Sequence, residues 1–295
     1  MIHLGAIVFG LTAAVAASAI CLGRGRACAS SGAGDEDAGA LPRQSALFTS
    51  GEGGYNTYRI PAIIATARGS LLAFCEGRKH GGGDSGNIDL LVKRSTDPGP
   101  TWGEQRVVWD DGVNTCGNPC PVLDRETGIV WLLMTWNNGA DTEDEIIAQT
   151  GKDTRRVFVT CSRNDGVTWA EPRDITSRVK SPDWTWYATG PGAGIQIERG
   201  SHRGRLLIPC DHIEAAAQRG YSHVIYSDDH GETWQLGGRT PQPQVDECKP
   251  GRRLRSGGAH GRPPHAQYAQ LRPLRARPPD RHQRRRRVDL GRPAL

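Results

Sequence analysis

Long helical patterns are nearly absent from this sequence of 295 residues. Only residues 142–154, TEDEIIAQTGKDT, suit a helical turn or two, which excludes a helix bundle. Glycine and proline are plentiful instead, with 38 and 19 residues. Short runs rich in β-branched and aromatic residues, such as YRIPAIIAT, GIVWLLMTW and SHVIYSD, are bounded by turn-forming residues. The sequence therefore predicts an all-β protein.

The spacing of a zinc site is also missing. Cys116 and Cys120, in CGNPC, could form half of such a site, but no second pair at zinc spacing and no supporting histidine follow. Most of the other cysteines lie in strand-like runs, where we expect buried thiols that behave as small apolar side chains. We expect no metal site and no cofactor.

Lys and Arg are missing ahead of the apolar run Leu4 to Gly23, although the length of this run is about that of a membrane span. Small residues and the pattern Ala27-Cys28-Ala29 follow, as in a secretory signal peptide. We expect residues 1–30 to be a signal peptide, or alternatively an uncleaved membrane anchor, and residues 31–44 to be a linker. Either reading predicts a secreted, periplasmic or cell-surface protein.

Charge is distributed unevenly. Residues 249–295 hold 13 Arg and one Lys against two Asp, whereas residues 1–248 hold 23 basic and 30 acidic residues. Such a tail is typical of a disordered polyanion-binding segment. One hypothesis is therefore a protein that binds nucleic acid or another polyanion through its tail.

One octapeptide pattern occurs three times, as STDPGPTW from Ser95, SRNDGVTW from Ser162 and SDDHGETW from Ser227. Each copy follows a strand-like run. Asp or Asn at the third position can accept hydrogen bonds from backbone N–H groups ahead of it, and Gly at the fifth provides a corner with positive φ. The closing Trp provides a large apolar plug. Repetition at a fixed period indicates an array of similar units, and a meander of four strands per unit suits a β-propeller blade.

The pattern S-x-D-x-G-x-T-W is the Asp-box, and the chain resembles the sialidases, which are six-bladed propellers. The second copy departs from the pattern, with Asn164 in the place of the aspartate. The resemblance covers residues 45 to 248 and implies an incomplete six-bladed propeller of about three to four blades. It also makes Asp97 a turn former.

The candidate site begins before the first Asp-box. Arg59, in YRIP, is unusual for a strand core because arginine is rarely buried unpaired, whereas its fork of donors suits a carboxylate. Asp84 lies in the glycine-rich loop GGGDSG. Taken singly, these residues suit a surface salt bridge and a turn. Together, in this order, they resemble the sialidase signature.

The resemblance implies an exo-α-sialidase, a retaining glycoside hydrolase that removes terminal sialic acid. Arg59 would be the first of three arginines that clamp the sialic acid carboxylate, and Arg78 would support the loop. Asp84 would be the general acid and later the base, and Glu247 would assist a tyrosine nucleophile. Further pocket candidates are Glu143, Trp184, Trp186 and Tyr187, of which the three aromatic residues suit blade packing equally well. Sialylated glycans, glycoproteins or glycolipids are the implied substrates, with no nucleic acid partner.

The tail breaks this pattern. Residues 249–295 lack strand periodicity, and the two further clamp arginines, the nucleophilic tyrosine and more blades are not recognisable there. Reading the codons for residues 264–271 one nucleotide later permits the family-like string LMLNMRNY, and the same shift at residues 283–290 permits a fourth Asp-box. We therefore interpret the tail as a frameshift, with a genuine disordered basic tail as the alternative.

We expect the chain as written to be inactive and prone to aggregate at its uncovered blade edges. A non-catalytic sialoglycan-binding propeller is a further alternative.

Overall fold

The computed structural model describes residues 6–8, 44–97, 99–241 and 243, with side chains from residue 44 onward. Two short strands, β1 (Ala6–Val8) and β2 (Ala46–Thr49), pair in antiparallel orientation. Blade 1 consists of β3 (Thr57–Ala65), β4 (Leu71–Arg78), β5 (Ile88–Ser95) and β6 (Arg106–Trp109). Blade 2 consists of β7 (Thr115–Leu123), β8 (Val130–Asn137), β9 (Arg156–Ser162) and β10 (Arg173–Asp174). Blade 3 consists of β11 (Trp184–Thr189), β13 (Leu206–Glu214), β14 (Arg219–Ser227) and β15 (Gln235–Arg239), with β12 (Ile195–Gln196) added beside β13.

Within each blade the neighbouring strands pair in antiparallel orientation as a meander. A single parallel pair, Ile88 with Thr115, joins blades 1 and 2. The part of the chain that the structure describes contains two short helices, α1 (Glu143–Ile147) and α2 (Thr176–Val179). The first lies in the segment predicted to be helical and begins with a capping box between Thr142 and Glu145. The all-β class is confirmed, and the described residues contain three blades, within the expected range.

The core lies between the blades because strand side chains alternate between two faces. In β8, Val130, Leu132 and Met134 pack toward blade 1, while Trp131 and Leu133 belong to the cluster shared with blade 3. Both faces of this strand are thus covered, and its residues are almost all buried. This explains why GIVWLLMTW is apolar throughout instead of alternating.

The Asp-boxes form the turns between the third and fourth strands of the blades. In the first box Asp97 accepts hydrogen bonds from the backbone N–H of Thr101 at 3.0 Å and from its hydroxyl at 2.6 Å, and Ser95 Oγ accepts from Gly99 N–H at 2.9 Å. In the second box Asn164 Oδ1 accepts from Thr168 N–H at 2.9 Å. An amide therefore replaces the carboxylate without loss of the turn.

The Asp-boxes also join neighbouring blades. The fourth residue of the second box, Asp165, accepts a hydrogen bond from Ser70 of blade 1 at 2.7 Å. The fourth residue of the third box, His230, lies 2.9 Å from Asp124 of blade 2. The glycine after it, Gly231, has φ of +96° and its Cα faces the Trp131 indole so closely that an added Cβ would lie 2.1 Å from Cε2. The second and third boxes thus close their own hairpins and also contact the preceding blade.

The meander places the turns of each blade at two opposite ends. Leu71 pairs with Ser95 at the Asp-box end, whereas Arg78 pairs with Ile88 at the other end. The loop with Asp84 therefore lies opposite the boxes, as does the β8–β9 connection that contains α1. Within the described residues no helix has both the length and the apolarity of a membrane span. The run Leu4 to Gly23 lies outside them except for residues 6–8, as do Glu247 and the tail.

Candidate functional site

Arg59 and Asp84 meet at the end of blade 1 that faces away from the Asp-boxes. Arg59 Nη1 donates to Asp84 Oδ1 at 2.8 Å and to the Gly82 carbonyl at 3.1 Å. Both side chains are partly open to solvent, with 43% and 45% of their surface exposed. The two residues that the sequence placed in one site are thus in direct contact and accessible.

A bulge in β3 accounts for the YRIP sequence. The register shifts between Arg59 and Ala62, and Ile60 has a φ of +53°. A β-branched residue rarely adopts positive φ, and bulges re-aim side chains beside active sites. Pro61 lacks an N–H and is tolerated in a bulge, where no ladder hydrogen bond is required. The irregularity begins at Arg59, the residue that contacts Asp84.

Arg78 fixes the loop that carries Asp84. Its guanidinium, 3% exposed, donates to the carbonyls of Gly82 at 2.6 Å and Gly83 at 2.7 Å and to Asp84 Oδ1 at 2.8 Å. Its charge is balanced by Glu76, which accepts from Nε at 2.9 Å and from Nη2. Arg78 thus holds the loop in place in this structure, and its role in a sialidase site stays a prediction. Glu76 was not predicted, although it stands two residues away in the same strand.

Asn118 connects the three blades. It has a φ of +52° and lies where the register of β7 shifts. Its N–H donates to Glu76 Oε1 at 2.8 Å, its Oδ1 accepts from Thr135 at 2.6 Å, and its carbonyl accepts from Thr189 Oγ1 at 2.6 Å. Sequence reasoning missed Asn118, and the only signal was a polar residue in an otherwise buried strand.

Arg155 lies beneath this network and was also missed. Its residue surface is 2% exposed, and its guanidinium donates to Asn137 Oδ1 at 2.7 Å and to Asn118 Oδ1. It stacks on the Trp186 ring, 3.9 Å from the centroid. Burial lowers the pKa of Arg155 to about 10, and nearby carboxylates, chiefly Glu76, oppose that shift. The side chain therefore remains a cation at neutral pH.

The predicted aromatic residues divide into two groups. Trp186 is half-buried and lies against Arg155. Tyr187 is completely buried and its hydroxyl lies 2.9 Å from His223 Nε2, while Trp184 is 5% exposed and stacks on His212. Tyr187 therefore packs inside the blade in this structure instead of lining a rim. Trp184 is also buried and belongs to the same core cluster. A register shift between Trp184 and Tyr187 explains why these two residues pack together.

Two further candidates lie at the edge of the site or outside the described residues. Glu143 occupies the first turn of α1 and contributes to the negative field around Arg155. Glu247 lies outside the described residues, so its role stays a prediction. Asp97, in contrast, is a turn residue at the opposite end: hydrogen bonds from Thr101 lower its pKa to about 2.

The tyrosines near blade 1 are poorly suited to nucleophilic attack. Burial and the hydrogen bond to Asp89 raise the pKa of Tyr55 well above its usual range, and burial raises that of Tyr58. A tyrosine nucleophile needs an adjacent base and access to the substrate. Tyr55 has the Asp89 carboxylate beside it, but Tyr55 and Tyr58 are only 7% and 5% exposed and Tyr187 is completely buried, so none of these three hydroxyls is open to a substrate.

Comparisons with known proteins give the family of this chain. A family model described as a BNR repeat-like domain matches residues 69–257. An exo-alpha-sialidase of Aspergillus fumigatus is 37% identical over 53% of this chain and 41% of its own length, and human sialidase-4 is 34% identical over 70% of this chain and 45% of its own length.

The structure is similar to that of a Hadza microbial sialidase, with a TM-score of 0.60 and 28% identity over 68% of this chain and 42% of the other. The chain spans about half the length, or less, of the relatives described here. The family model covers the three Asp-boxes and Asp84 but begins after Arg59. The chain therefore belongs to the sialidase family, through its BNR repeat-like domain.

Proposed function

We propose that this chain carries the acid/base part of an exo-α-sialidase-type active site and binds terminal sialic acid of glycans, glycoproteins or glycolipids. The observation that supports this most is the solvent-accessible contact of 2.8 Å between Arg59 and Asp84. The buried Arg78 holds Asp84 in place through a second contact of 2.8 Å. Arginine binds carboxylates through a planar fork of donors, and sialic acid carries a carboxylate.

In the proposed mechanism the substrate carboxylate competes with Asp84 for Arg59. Asp84 then keeps its contact with Arg78 and turns its other oxygen toward the glycosidic oxygen. As general acid it protonates the leaving oxygen, and as general base it later takes a proton from water. The second and third clamp arginines, the tyrosine nucleophile and its partner Glu247 remain assignments by resemblance.

Binding tests the first step. We expect saturation-transfer NMR to show contact with sialyllactose and none with lactose, and Arg59→Met to abolish the signal. Arg106→Met is a matched control, because this exposed arginine of blade 1 bonds the Val167 carbonyl away from Asp84. Equal signals from lactose and sialyllactose would contradict the proposal.

Turnover tests the second step. We expect no hydrolysis of a fluorogenic sialoside by the chain as written. We expect hydrolysis once the frame is shifted by one nucleotide near residues 245–260, and its loss in Asp84→Asn. Binding without hydrolysis in both proteins would favour the non-catalytic alternative.

Resequencing this part of the gene tests the frameshift itself, which an unbroken frame would exclude. Salt-sensitive DNA binding that disappears on deleting residues 249–295 would favour the polyanion-binding alternative.

We further propose that the protein is secreted or displayed at the surface, on the basis of the apolar run Leu4 to Gly23. Fractionation of cells expressing the full chain tests this, and recovery only from the cytosol would contradict it.

A further inference from the structure

We infer that Arg155 is a positioning residue that holds the Asp84 loop through Asn118, Glu76 and Arg78. This inference rests on the proposed function only for the role of Asp84. Among the described residues no hydrogen bond or ion pair joins Arg155 directly to the Asp84 loop, although Asp84 is one of several carboxylates that raise the pKa of Arg155 at longer range. We therefore argue the positioning role from the hydrogen bonds that pass through the residues between them.

The connection consists of four successive contacts. Arg155 donates to Asn118 Oδ1, and the backbone N–H of Asn118 donates to Glu76 Oε1 at 2.8 Å. The other oxygen of Glu76 accepts from Arg78 Nε at 2.9 Å, and Arg78 donates to Asp84 Oδ1 at 2.8 Å. A continuous hydrogen-bonded path thus runs from blade 2 to the acid loop of blade 1.

Asn118 is the point at which this path is sensitive to Arg155. Its backbone is in the left-handed region, with φ of +52°, which costs free energy for a residue other than glycine. Surrounding contacts must therefore maintain the conformation that directs its N–H toward Glu76. Arg155 and Thr135 supply the two hydrogen bonds to its side-chain oxygen, and the bond from Arg155 is the charged one.

Arg155 is itself held rigidly. Its guanidinium reaches both Asn118 and Asn137 and stacks on Trp186. Lys180 Nζ donates to the Arg155 carbonyl at 2.6 Å and to the Thr185 carbonyl, next to Trp186, at 2.7 Å. These bonds fix the backbone on both sides of the stack. A planar fork that bonds two amides cannot be reproduced by an ammonium group.

Tryptic cleavage after Lys79, at the edge of the acid loop, provides a local readout that does not require turnover. Cleavage of a folded protein tracks the population of the locally open form when opening is fast. Loss of a hydrogen bond to a charged group corresponds to a factor of about ten or more in such an equilibrium. In Arg155→Met we therefore expect cleavage after Lys79 to accelerate roughly tenfold relative to cleavage after the exposed Arg203 in blade 3.

Two further variants sharpen the test. Arg156→Met is the matched control, because the neighbouring guanidinium lies over Trp136 and pairs with Asp153, away from Asn118, and we expect an unchanged cleavage ratio. Arg155→Lys keeps the charge and loses the fork, so we expect a ratio close to that of Arg155→Met. Full rescue by lysine would overturn the positioning role of the fork.

An unchanged ratio in Arg155→Met, or equal acceleration at both cleavage sites, would also overturn the inference, because equal acceleration indicates global destabilisation. Sialyllactose binding by the unmodified chain is measured in parallel. A raised ratio in Arg155→Met without any binding by the unmodified chain would contradict the proposed function alone and leave the connection to the loop intact.

Discussion

Removing the charge of Glu76 is expected to destabilise the protein strongly. Glu76 and Arg78 are 2% and 3% exposed, and Glu76 accepts three hydrogen bonds, two from Arg78 and one from Asn118 N–H. Breaking a buried ion pair by removing one partner costs about 3–5 kcal/mol. Arg78 keeps its contact with the half-exposed Asp84, so we expect a loss near the lower end, about 3 kcal/mol. This is a large fraction of the roughly 5–15 kcal/mol that stabilises an ordinary domain.

Urea unfolding measures this cost. With an m-value of about 1–3 kcal/mol per molar urea, Glu76→Gln should lower the midpoint by about 1 M or more. Glu104→Gln replaces an exposed carboxylate of the same type and should change stability by no more than about 0.5 kcal/mol. The double variant Glu76→Met, Arg78→Met removes both charges and should recover much of the loss. Coinciding midpoints for Glu76→Gln and Glu104→Gln would refute the reasoning.

Three further predictions concern the blades. Gly231→Ala forces a methyl group against the Trp131 indole of the preceding blade at φ +96° and should lower the free energy of unfolding by roughly 2–4 kcal/mol. Gly69→Ala, at φ +85°, has open space around the new methyl group and should cost only the backbone strain of about 1–2 kcal/mol. Equal losses of stability in thermal unfolding would contradict the contact between the blades. The pKa of Asp97 is lowered from 3.8 to about 2, so its stabilising effect is present above pH 4 and is lost as the pH falls through 2; in Asp97→Asn the unfolding temperature should decline less steeply over this range. Burial lowers the pKa of His212 from 6.5 to about 3 and that of its partner His223 well below 6.5, so stability is fully present above pH 6.5 and should fall below it by up to about 1.4 kcal/mol per pH unit for each group; an unfolding midpoint in urea that is constant from pH 7 to 4.5 would exclude this.

The Asp-boxes could be predicted because their interactions are local. Ser95, Asp97 and Thr101 lie within seven residues and bond to one another, so the sequence contains nearly all the information for the turn. The same reasoning explains why Asn164 serves in the second box. What the sequence did not reveal is that the fourth residue of a box, such as Asp165, bonds a different blade.

The site was predicted only in part. Arg59 and Asp84 stand 25 residues apart but are brought together within one blade. Asn118, Arg155 and Trp186 belong to strands or connections of two blades, and only the packing of those blades brings them together. Tyr187 was placed among the pocket candidates on its neighbours in sequence, and a register shift in β11 turns it into the core.

The most direct test of the account is a crystal structure of this chain with an unsaturated sialic acid analogue. We predict the ligand carboxylate within about 3 Å of the Arg59 guanidinium, and Asp84 displaced from Arg59 while still bonded to Arg78. A ligand bound elsewhere, with the contact between Arg59 and Asp84 unchanged, would contradict the central claim that this pair forms the sialic acid site.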